Sequence, residues 1–298
     1  MRRALVLLAL AAAPLPVRPP SEVQVAVFGL FHPDALVVAA TGDAIAVSGD
    51  RESCVLRGGE QARLQWGGRA IEVSCPGGAF ASGAVRVTGS AGRDAELELR
   101  VPGRIARRFH GRLDVAAAGG ELAPVMSMPL ETAVASVVGA EQVMSAPLEA
   151  LKAQAVAARS FFTAAGRRHR GFDFCDTTHC QFLREPPPPD HPAARAARET
   201  AGLILTFRDV PIAAFYSANC GGSTRTRAEA GLQAADAYPY FSVGCPLGGG
   251  QDGTSQRRGH GVGLCQEGAA AMAAEQGASF AALLQHYYPG TVLAARPR

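Results

Sequence analysis

The sequence predicts an α+β fold, because strand patterns fill the front of the chain and helical patterns follow. Between residues 23 and 115, short β-branched or alternating runs are separated by Gly, Asp or Ser turns, as in antiparallel sheets. From residue 130 onward, apolar residues recur mainly at the helical period, with two buried strand patterns among them. No Rossmann or P-loop glycine pattern is present, so a nucleotide-binding α/β fold is not indicated.

The front region, residues 21–120, is expected to form a small β-rich module. Its strand patterns are VQVAVFGLF, ALVVAA, AIAVSG, AIEVSC, AVRVTG and ELELRV. Trp66 is the single tryptophan, and we interpret it as a half-buried strand residue, with sugar stacking as the alternative. No acidic or histidine cluster marks this region as catalytic, so we place the functional site in residues 121–298.

Composition and charge limit the possible classes. The 298 residues carry a net charge of +3, which is too small to indicate nucleic-acid binding. Residues 1–20 combine a basic start with an apolar run shorter than the ~20 residues that span a bilayer. We therefore expect a signal peptide, with an uncleaved anchor as the alternative. The mature chain is expected in the periplasm or cell wall, without a membrane span.

The stretch EQVMSAPLEALKAQAVAAR, residues 141–159, predicts a buried helix. Advancing 100° per residue places apolar side chains on two opposite faces. One face holds Leu148, Leu151, Ala155, Ala158 and Phe162, and the other holds Ala150, Ala153 and Ala157. Lys152 and Arg159 lie two turns apart at the edge of the first face. Buried cations need an anionic partner, which is either a protein carboxylate or a ligand.

Flanking patterns complete the second region. Residues 130–140 predict a helix that ends near Gly139, which leaves Glu141 in the loop before the buried helix. HPAARAARETAG predicts a short helix, LILTF and IAAFYSA predict buried strands, and GASFAALLQHYY predicts a last helix that stops at Pro289. The proline-rich EPPPPDHP is expected to be a surface loop.

Four residues have the chemistry of a zinc site. Two thiols and two imidazoles, from His169, Cys175, His179 and Cys180, occur within twelve residues. Four protein ligands would make the zinc structural, since a catalytic zinc keeps an open position. The alternative is a Cys175–Cys180 disulfide in an oxidising compartment.

The other cysteines allow further pairing. Cys54 and Cys75 flank a strand-turn-strand pattern, and Cys220 and Cys245 are a second possible pair. Cys265 is then left over. Sequence spacing alone leaves this connectivity open.

Five motifs resemble one known family. They are PLEALKAQAVAARSFF preceded by a Glu, CDTTHCQ, YSANCGGST, GHGVGLCQEGA and HYYPGT, in this order between about residues 130 and 292. Together they resemble the stage II sporulation protein D (SpoIID) family of cell-wall proteins. The resemblance implies a SpoIID-like glycan-binding and catalytic domain behind a variable front half. It also implies zinc in those members that carry the Cys and His cluster.

The resemblance implies that Glu141 is catalytic. In lytic transglycosylases one Glu protonates the glycosidic oxygen and then, as a base, takes the proton of the muramic acid 6-hydroxyl. This requires a raised pKa, for which we expect apolar neighbours such as Val137, Val138 and Met144. The alternative is a solvated Glu at a helix end.

Further residues match family positions in the expected substrate cleft. Lys152 and Arg159 would hold the muramic lactyl carboxylate or stabilise charge near the cleaved bond. The alternative is internal salt bridges to Glu131, Glu149 or Asp176. The other candidate substrate-binding residues are Thr177, Gln181, Tyr216, Ser217, Gly221 and His260. Thr177 would alternatively cap a turn, and His260 would alternatively be a structural hydrogen-bonding residue.

These observations predict a lytic transglycosylase that cleaves peptidoglycan glycan strands. Cleavage between MurNAc and GlcNAc would leave 1,6-anhydro-MurNAc ends. The first alternative is a non-enzymatic wall-binding protein that enhances an N-acetylmuramoyl-L-alanine amidase, and the second is a structural wall-binding module. YSANCGG is not a nucleophile elbow, so no serine hydrolase is indicated.

Overall fold

The computed structural model describes residues 20–141, 145–233, 236–246 and 257–295. All but the last residue of the predicted signal peptide, and Met144, lie outside this part of the chain. The strands in chain order are β1 Glu22–Ala26, β2 Ala35–Ala40, β3 Ile45–Ser48, β4 Ser53–Leu56, β5 Gln61–Trp66, β6 Ile71–Cys75, β7 Gly78–Ser82, β8 Ala84–Gly89, β9 Ala95–Val101, β10 Ile105–Ala118, β11 Glu121–Pro129, β12 Phe174–Cys175, β13 Leu203–Phe207, β14 Val210–Pro211, β15 Tyr216–Ser217, β16 Leu264–Cys265 and β17 Val292–Ala295. The helices are α1 Leu130–Glu141, α2 Leu148–Ala164, α3 Pro192–Glu199, α4 Arg227–Ala230, α5 Gln266–Gln276 and α6 Phe280–Tyr287.

The predicted α+β class is confirmed. Twelve strands form one sheet, whose main path runs β12-β1-β11-β10-β9-β2-β5-β6-β7, with β8 joining β10 to the β3–β4 pair. Each of the six strand patterns of the front region contains a strand in the structure, and period-two burial explains why. In β9, for example, alternate side chains from Ala95 to Val101 are buried. The first pattern ends differently, because Gly29–Phe31 form a 3-10 helix. Trp66 is half-buried at the end of β5.

The sheet continues across residue 120. β10 and β11 are neighbouring antiparallel strands, paired from Arg112 with Ser127 to Ala118 with Glu121. β11 also pairs with β1, and the short β12 pairs with β1 in parallel. Strands from both predicted regions therefore share one hydrogen-bonded sheet.

Helix α2 lies between two hydrophobic cores, as its two apolar faces predict. Leu151, Ala155 and Ala158 pack into the core beneath the large sheet. The opposite face packs into a second core, which β13, α5 and α6 surround, and it contributes Ala150, Ala153, Val156 and Ala157. The burial of both faces explains why this helix is apolar on nearly all sides.

Several boundaries differ from the predictions. Helix α1 continues through Glu141 instead of ending near Gly139. The pattern IAAFYSA predicted a strand over its whole length, but only Tyr216 and Ser217 form one, the short β15. Helix α5 was not predicted, since its alanine-rich sequence has almost no apolar face. No helix among the described residues is long and apolar enough to cross a membrane.

The cysteines separate into one disulfide and two clusters. Cys54 and Cys75 form the predicted disulfide between β4 and β6. Cys220 and Cys245, the second possible pair, lie together in a buried cluster that also includes Cys265. Cys175 and Cys180 are thiols, and lie in the cluster with His169 and His179.

Candidate active site

A cavity of about 630 Å³ opens where the predicted motifs meet. Its lining comes from the end of α1, from α2, from the loop that follows β12, from β15 and from the loops before α5. The lining residues are Ala140, Glu141, Phe161, Arg168, Thr178, His179, Cys180, Gln181, Phe182, Phe215, Tyr216, Ser217, Ala218, Leu232, Gln233, Arg258, Gly259, His260 and Gln266. We call this cavity the cleft. Glu141 is the one carboxylate in its lining within the described ranges.

The Glu141 carboxyl is positioned from two sides. Its Oε1 accepts a 2.9 Å hydrogen bond from the backbone N–H of Phe182, and its backbone carbonyl accepts a 3.1 Å bond from Gln266 Nε2. Its Oε2 is buried and has no hydrogen-bond partner among the described residues. Such unsatisfied buried oxygens are rare in folded proteins, and they are often found where a ligand or a proton transfer completes the site.

Burial raises the pKa of Glu141 to about 7, because a desolvated carboxylate is costly. The nearby Tyr216 hydroxyl and the N–H of Phe182 act in the opposite direction and only partly offset this effect. Phe161, Phe182 and Phe215 supply apolar surface to the cleft. Val137 and Val138 are buried in the core and are not part of the cleft lining.

Gln181 and Tyr216 form a hydrogen-bonded pair beside Glu141. The Tyr216 hydroxyl donates to Gln181 Oε1, and Gln181 Nε2 donates to the carbonyl of Ala158 on α2 at 3.3 Å. The Tyr216 hydroxyl also lies near enough to the Glu141 carboxyl to lower the pKa of that group. The carboxyl of Glu141 in turn raises the pKa of Tyr216, after the larger effect of its burial.

Ser217 on β15 and His260 in the GHGVG segment also line the cleft. Ser217 Oγ is a second buried atom without a hydrogen-bond partner in the described part of the chain. His260 Nδ1 accepts a 3.0 Å bond from the N–H of Val262, and burial lowers the pKa of its imidazole. A neutral imidazole at the cleft wall is the result.

The GHGVG segment can approach β15 closely because of Gly263. Its φ is +72°, and a Cβ at this position would collide with the carbonyl oxygen of Phe215. The close approach allows β15 and β16 to pair in parallel, with Tyr216 opposite Leu264. The glycines thus bring two distant motifs to one wall of the cleft.

Two candidate substrate residues do not line the cleft. Thr177 Oγ1 contacts Cys175 Sγ at 3.2 Å and accepts a 3.2 Å bond from the N–H of His179, which is the turn-capping alternative. Gly221 turns the chain after β15 with φ +70°, and its N–H donates to Asn219 Oδ1. The neighbouring Thr178 lines the cleft instead of Thr177.

Arg159 and Lys152 also lie outside the cleft lining, so the structure corrects their predicted substrate contacts. Arg159 is fully buried, forms a bidentate ion pair with Glu131 and donates to the carbonyls of Leu203 and Ala197. Its donors are used internally, and no exposed surface remains for a ligand.

Lys152 forms ion pairs with Glu149 at 2.8 Å and with Glu199 at 2.7 Å. Both carboxylates raise the pKa of the Lys152 ammonium through hydrogen bonds, Glu149 more than Glu199. These contacts link α2 to α3. For both cations, the geometry therefore favours internal salt bridges over contacts with a substrate.

The four predicted metal ligands form one cluster beside the cleft. The ligand atoms of His169, Cys175, His179 and Cys180 all lie within 4.8 Å of one another. His169 Nε2 is 3.2 Å from Cys180 Sγ, and His179 Nδ1 is 3.5 Å from the same sulfur. Burial lowers the pKa of His169 and raises that of Cys180 to about 11. A bound cation would supply the charge that these thiols need to ionise.

The sequence analysis missed several cleft residues. Arg168 and Arg258 bring positive charge to the cleft, although Arg258 is already paired with Glu267. Gln266 contacts Glu141 directly. Gln266 could have been found from the sequence, because it belongs to the GHGVGLCQEGA motif. Arg168 could not, because it lies in a basic run that looks the same as a solvated surface.

The comparison with known families agrees with this arrangement. A profile of the family described as stage II sporulation protein, SpoIID, matches residues 118–207. This segment includes Glu141, the His and Cys cluster and Gln181, while Tyr216, Ser217 and His260 lie beyond it. No protein with a curated description matches the chain. The segment of residues 118–207 is therefore similar to the SpoIID family of stage II sporulation proteins.

Proposed function

We propose that this protein is a peptidoglycan lytic transglycosylase that cleaves glycan strands between MurNAc and GlcNAc. The observation that carries the proposal is the Glu141 carboxyl, which lies in the cleft with a pKa of about 7 and with one oxygen that has no hydrogen-bond partner in the described part of the chain. A group with this pKa is protonated often enough to act as an acid near neutral pH, and its conjugate base is strong enough to take a proton.

The number of carboxylates favours this reaction over hydrolysis. Most glycoside hydrolases use two carboxyl groups that flank the scissile bond, of which one acts on water or on the sugar. In the described part of the cleft lining, Glu141 has no second carboxylate beside it. A single acid is sufficient when the nucleophile is a hydroxyl of the substrate itself.

The proposed reaction moves one proton onto and one proton away from the substrate. Glu141 first donates its proton to the glycosidic oxygen, the bond from this oxygen to C1 of MurNAc breaks, and GlcNAc leaves as an alcohol. The Glu141 carboxylate then removes the proton of the MurNAc 6-hydroxyl, and O6 bonds to C1. The product is a 1,6-anhydro ring, no water is consumed, and Glu141 is protonated again.

Other cleft residues are candidates for substrate contacts. Ser217 Oγ has an unused hydrogen-bonding capacity, and the Tyr216–Gln181 pair presents a fixed polar edge. Arg168 is exposed and forms no ion pair with a described residue, so it is a better candidate than Lys152 or Arg159 for the lactyl carboxylate. His260 supports the wall of the cleft.

The cluster of His169, Cys175, His179 and Cys180 fits zinc. Two thiolates and two imidazoles with converging ligand atoms match a tetrahedral site. Four protein ligands leave no open position, so the role of the metal would be structural. It would hold the loop that carries Gln181 and the N–H of Phe182 against Glu141.

The decisive experiment is the digestion of purified glycan strands, followed by mass spectrometry of the products. We expect 1,6-anhydro-MurNAc ends from the wild-type protein. Glu141→Gln preserves size but can neither ionise nor donate as an acid, so we expect turnover to fall by ~10²-fold or more. Glu275→Gln, which changes an exposed carboxyl on α5, is the matched control and should retain full activity.

Two results would contradict the proposal. Reducing ends without the anhydro ring would exclude the internal nucleophile and would indicate hydrolysis. Absence of cleavage by the wild-type protein, together with stimulation of a wall amidase by both wild type and Glu141→Gln, would identify an amidase enhancer instead.

A further inference from the structure

A second cluster of metal-binding side chains lies behind the cleft and is separate from the predicted zinc ligands. The Sγ atoms of Cys220, Cys245 and Cys265 all lie within 4.8 Å of one another. The three residues are between 0% and 7% exposed, and none of them lines the cleft. They come from three segments, namely the turn after β15, the region that follows Tyr240, and the end of β16.

The fold brings these sulfur atoms together by specific backbone contacts. Cys265 is the N-cap of α5, and its Sγ accepts hydrogen bonds from the N–H groups of Gly268 at 3.4 Å and Cys220 at 3.3 Å. These two N–H groups fix the Cys265 sulfur at the N-terminus of the eleven-residue helix α5. Gly268 is also required sterically, because a Cβ there would collide with Cys245 Sγ and Tyr287 Oη.

The three sulfur atoms are buried and lie close together, and a bound cation would compensate the negative charge of the thiolates. Three converging, buried sulfur atoms are the ligand set that soft metal ions prefer.

We propose that Cys220, Cys245 and Cys265 together bind one thiophilic metal ion with a filled d shell, either copper(I) or zinc(II). Copper(I) is satisfied by three thiolates. Zinc would take a fourth ligand, and Tyr287 Oη, 3.5 Å from Cys245 Sγ, is near enough to contribute after a small movement.

The proposed metal would stabilise the wall of the cleft without taking part in the reaction. Cys265 pairs with Ser217 across β15 and β16, and the next residue, Gln266, donates to the carbonyl of Glu141. Binding would therefore link segments that are 20 to 45 residues apart, directly behind the catalytic carboxyl. Free energy of metal binding would then appear as free energy of folding.

The test is metal analysis of the purified full-length protein after incubation with zinc(II) or with copper(I) under reducing conditions. We expect one metal equivalent at this cluster, which Cys245→Ser loses and Cys175→Ser retains. Cys175→Ser serves as the matched control because it alters the other cluster. X-ray absorption at the metal edge of the wild-type protein should show a component with three sulfur ligands, which requires no variant to fold.

The proposal would be overturned by either of two findings. The first is a disulfide between any two of Cys220, Cys245 and Cys265 in non-reducing peptide mapping of the purified protein. The second is a wild-type protein that, after loading with either metal, contains no component with three sulfur ligands. Neither result depends on glycan cleavage, so the outcome is independent of the proposed function.

Discussion

At the scale of single residues, the environment of Glu141 decides its chemistry. The chain contains other acidic residues near helices, and Glu131 and Glu149 form ion pairs with Arg159 and Lys152. Glu141 instead lies in an apolar cleft with one backbone donor. Burial is the dominant effect on the pKa of Glu141, and no cation among the described residues offsets it.

The first prediction concerns the pH dependence of stability. Folded Glu141 keeps its proton up to a pH of about 7, whereas the unfolded chain releases it near 4.5. Its contribution to the free energy of unfolding is thus fully present below about pH 4.5 and is lost as the pH rises through 7. The wild-type protein should lose about 3 kcal/mol relative to Glu141→Gln over this range.

Urea unfolding at several pH values measures this difference. Glu275→Gln should follow the wild-type curve, since its carboxyl is exposed. If the wild-type and Glu141→Gln curves are parallel between pH 4.5 and 8, the pKa of Glu141 is not raised. In activity assays, the step that needs protonated Glu141 should slow as the pH rises above 7.

At the scale of elements, helix α2 connects the two cores and carries the most buried charge in the fold. Arg159 is fully buried, and its guanidinium joins α2 to α1 through Glu131, to α3 through the carbonyl of Ala197 and to β13 through the carbonyl of Leu203. Lys152 joins α2 to α3 near the surface. These ion pairs position the helices that frame the cleft.

We expect Arg159→Ala to reduce the free energy of unfolding by about 3 kcal/mol, the low end for a broken buried pair, because Glu131 remains partly exposed. Arg167→Ala breaks an exposed pair with Asp173 and should change stability by less than about 1 kcal/mol. Denaturant titration compares the two. An unchanged stability for Arg159→Ala with a large rise in KM would instead restore the substrate-binding role.

The loop between α2 and α3 depends on the proposed zinc. It contains only the two-residue strand β12, which pairs with β1, and it holds the four clustered ligands. Removal of the metal should therefore loosen the loop that presents the Phe182 N–H to Glu141.

We expect about one zinc per chain at this site, and we expect Cys175→Ser to lose it with a lower melting temperature. Glu141→Gln is the control and should keep its zinc. Metal analysis and calorimetry give the two measurements. A metal-free protein with a disulfide between Cys175 and Cys180 would reject the zinc site.

At the scale of the whole molecule, the large sheet joins the front region to the domain that the family profile matches. β11 pairs with both β10 and β1, and β1 also pairs with β12 beside the cluster of His169, Cys175, His179 and Cys180. Arg107 on β10 contributes a further buried ion pair with Asp176, in the loop after β12. The front strands thus contact elements that support the cleft.

A fragment of residues 121–298 should consequently fail to fold alone. It would expose both edges of β11 and the apolar face of α1, and would leave Asp176 without Arg107. Circular dichroism during thermal unfolding should show no cooperative transition, in contrast to the chain from residue 21 onward. A cooperative transition with glycan cleavage by the fragment would show that residues 121–298 are autonomous.

The sequence by itself determined the elements whose side-chain periodicity is strong. It predicted the two buried faces of α2, the alternating strands of the front region and the clustering of His169, Cys175, His179 and Cys180, and it offered Cys54 and Cys75 as a possible pair. Each of these follows from local spacing along one or two neighbouring elements, so it needs no knowledge of distant contacts.

Only the tertiary structure decided which polar groups meet. Arg159 pairs with Glu131, 28 residues earlier in the chain, and Tyr216 donates to Gln181, 35 residues earlier. Likewise, the thiols of Cys220, Cys245 and Cys265 converge because β15 pairs with β16 and Gly268 leaves room. The burial of a residue and its charged partners depend on side chains that only tertiary packing brings close. The periodicity of the sequence contains no information about these contacts.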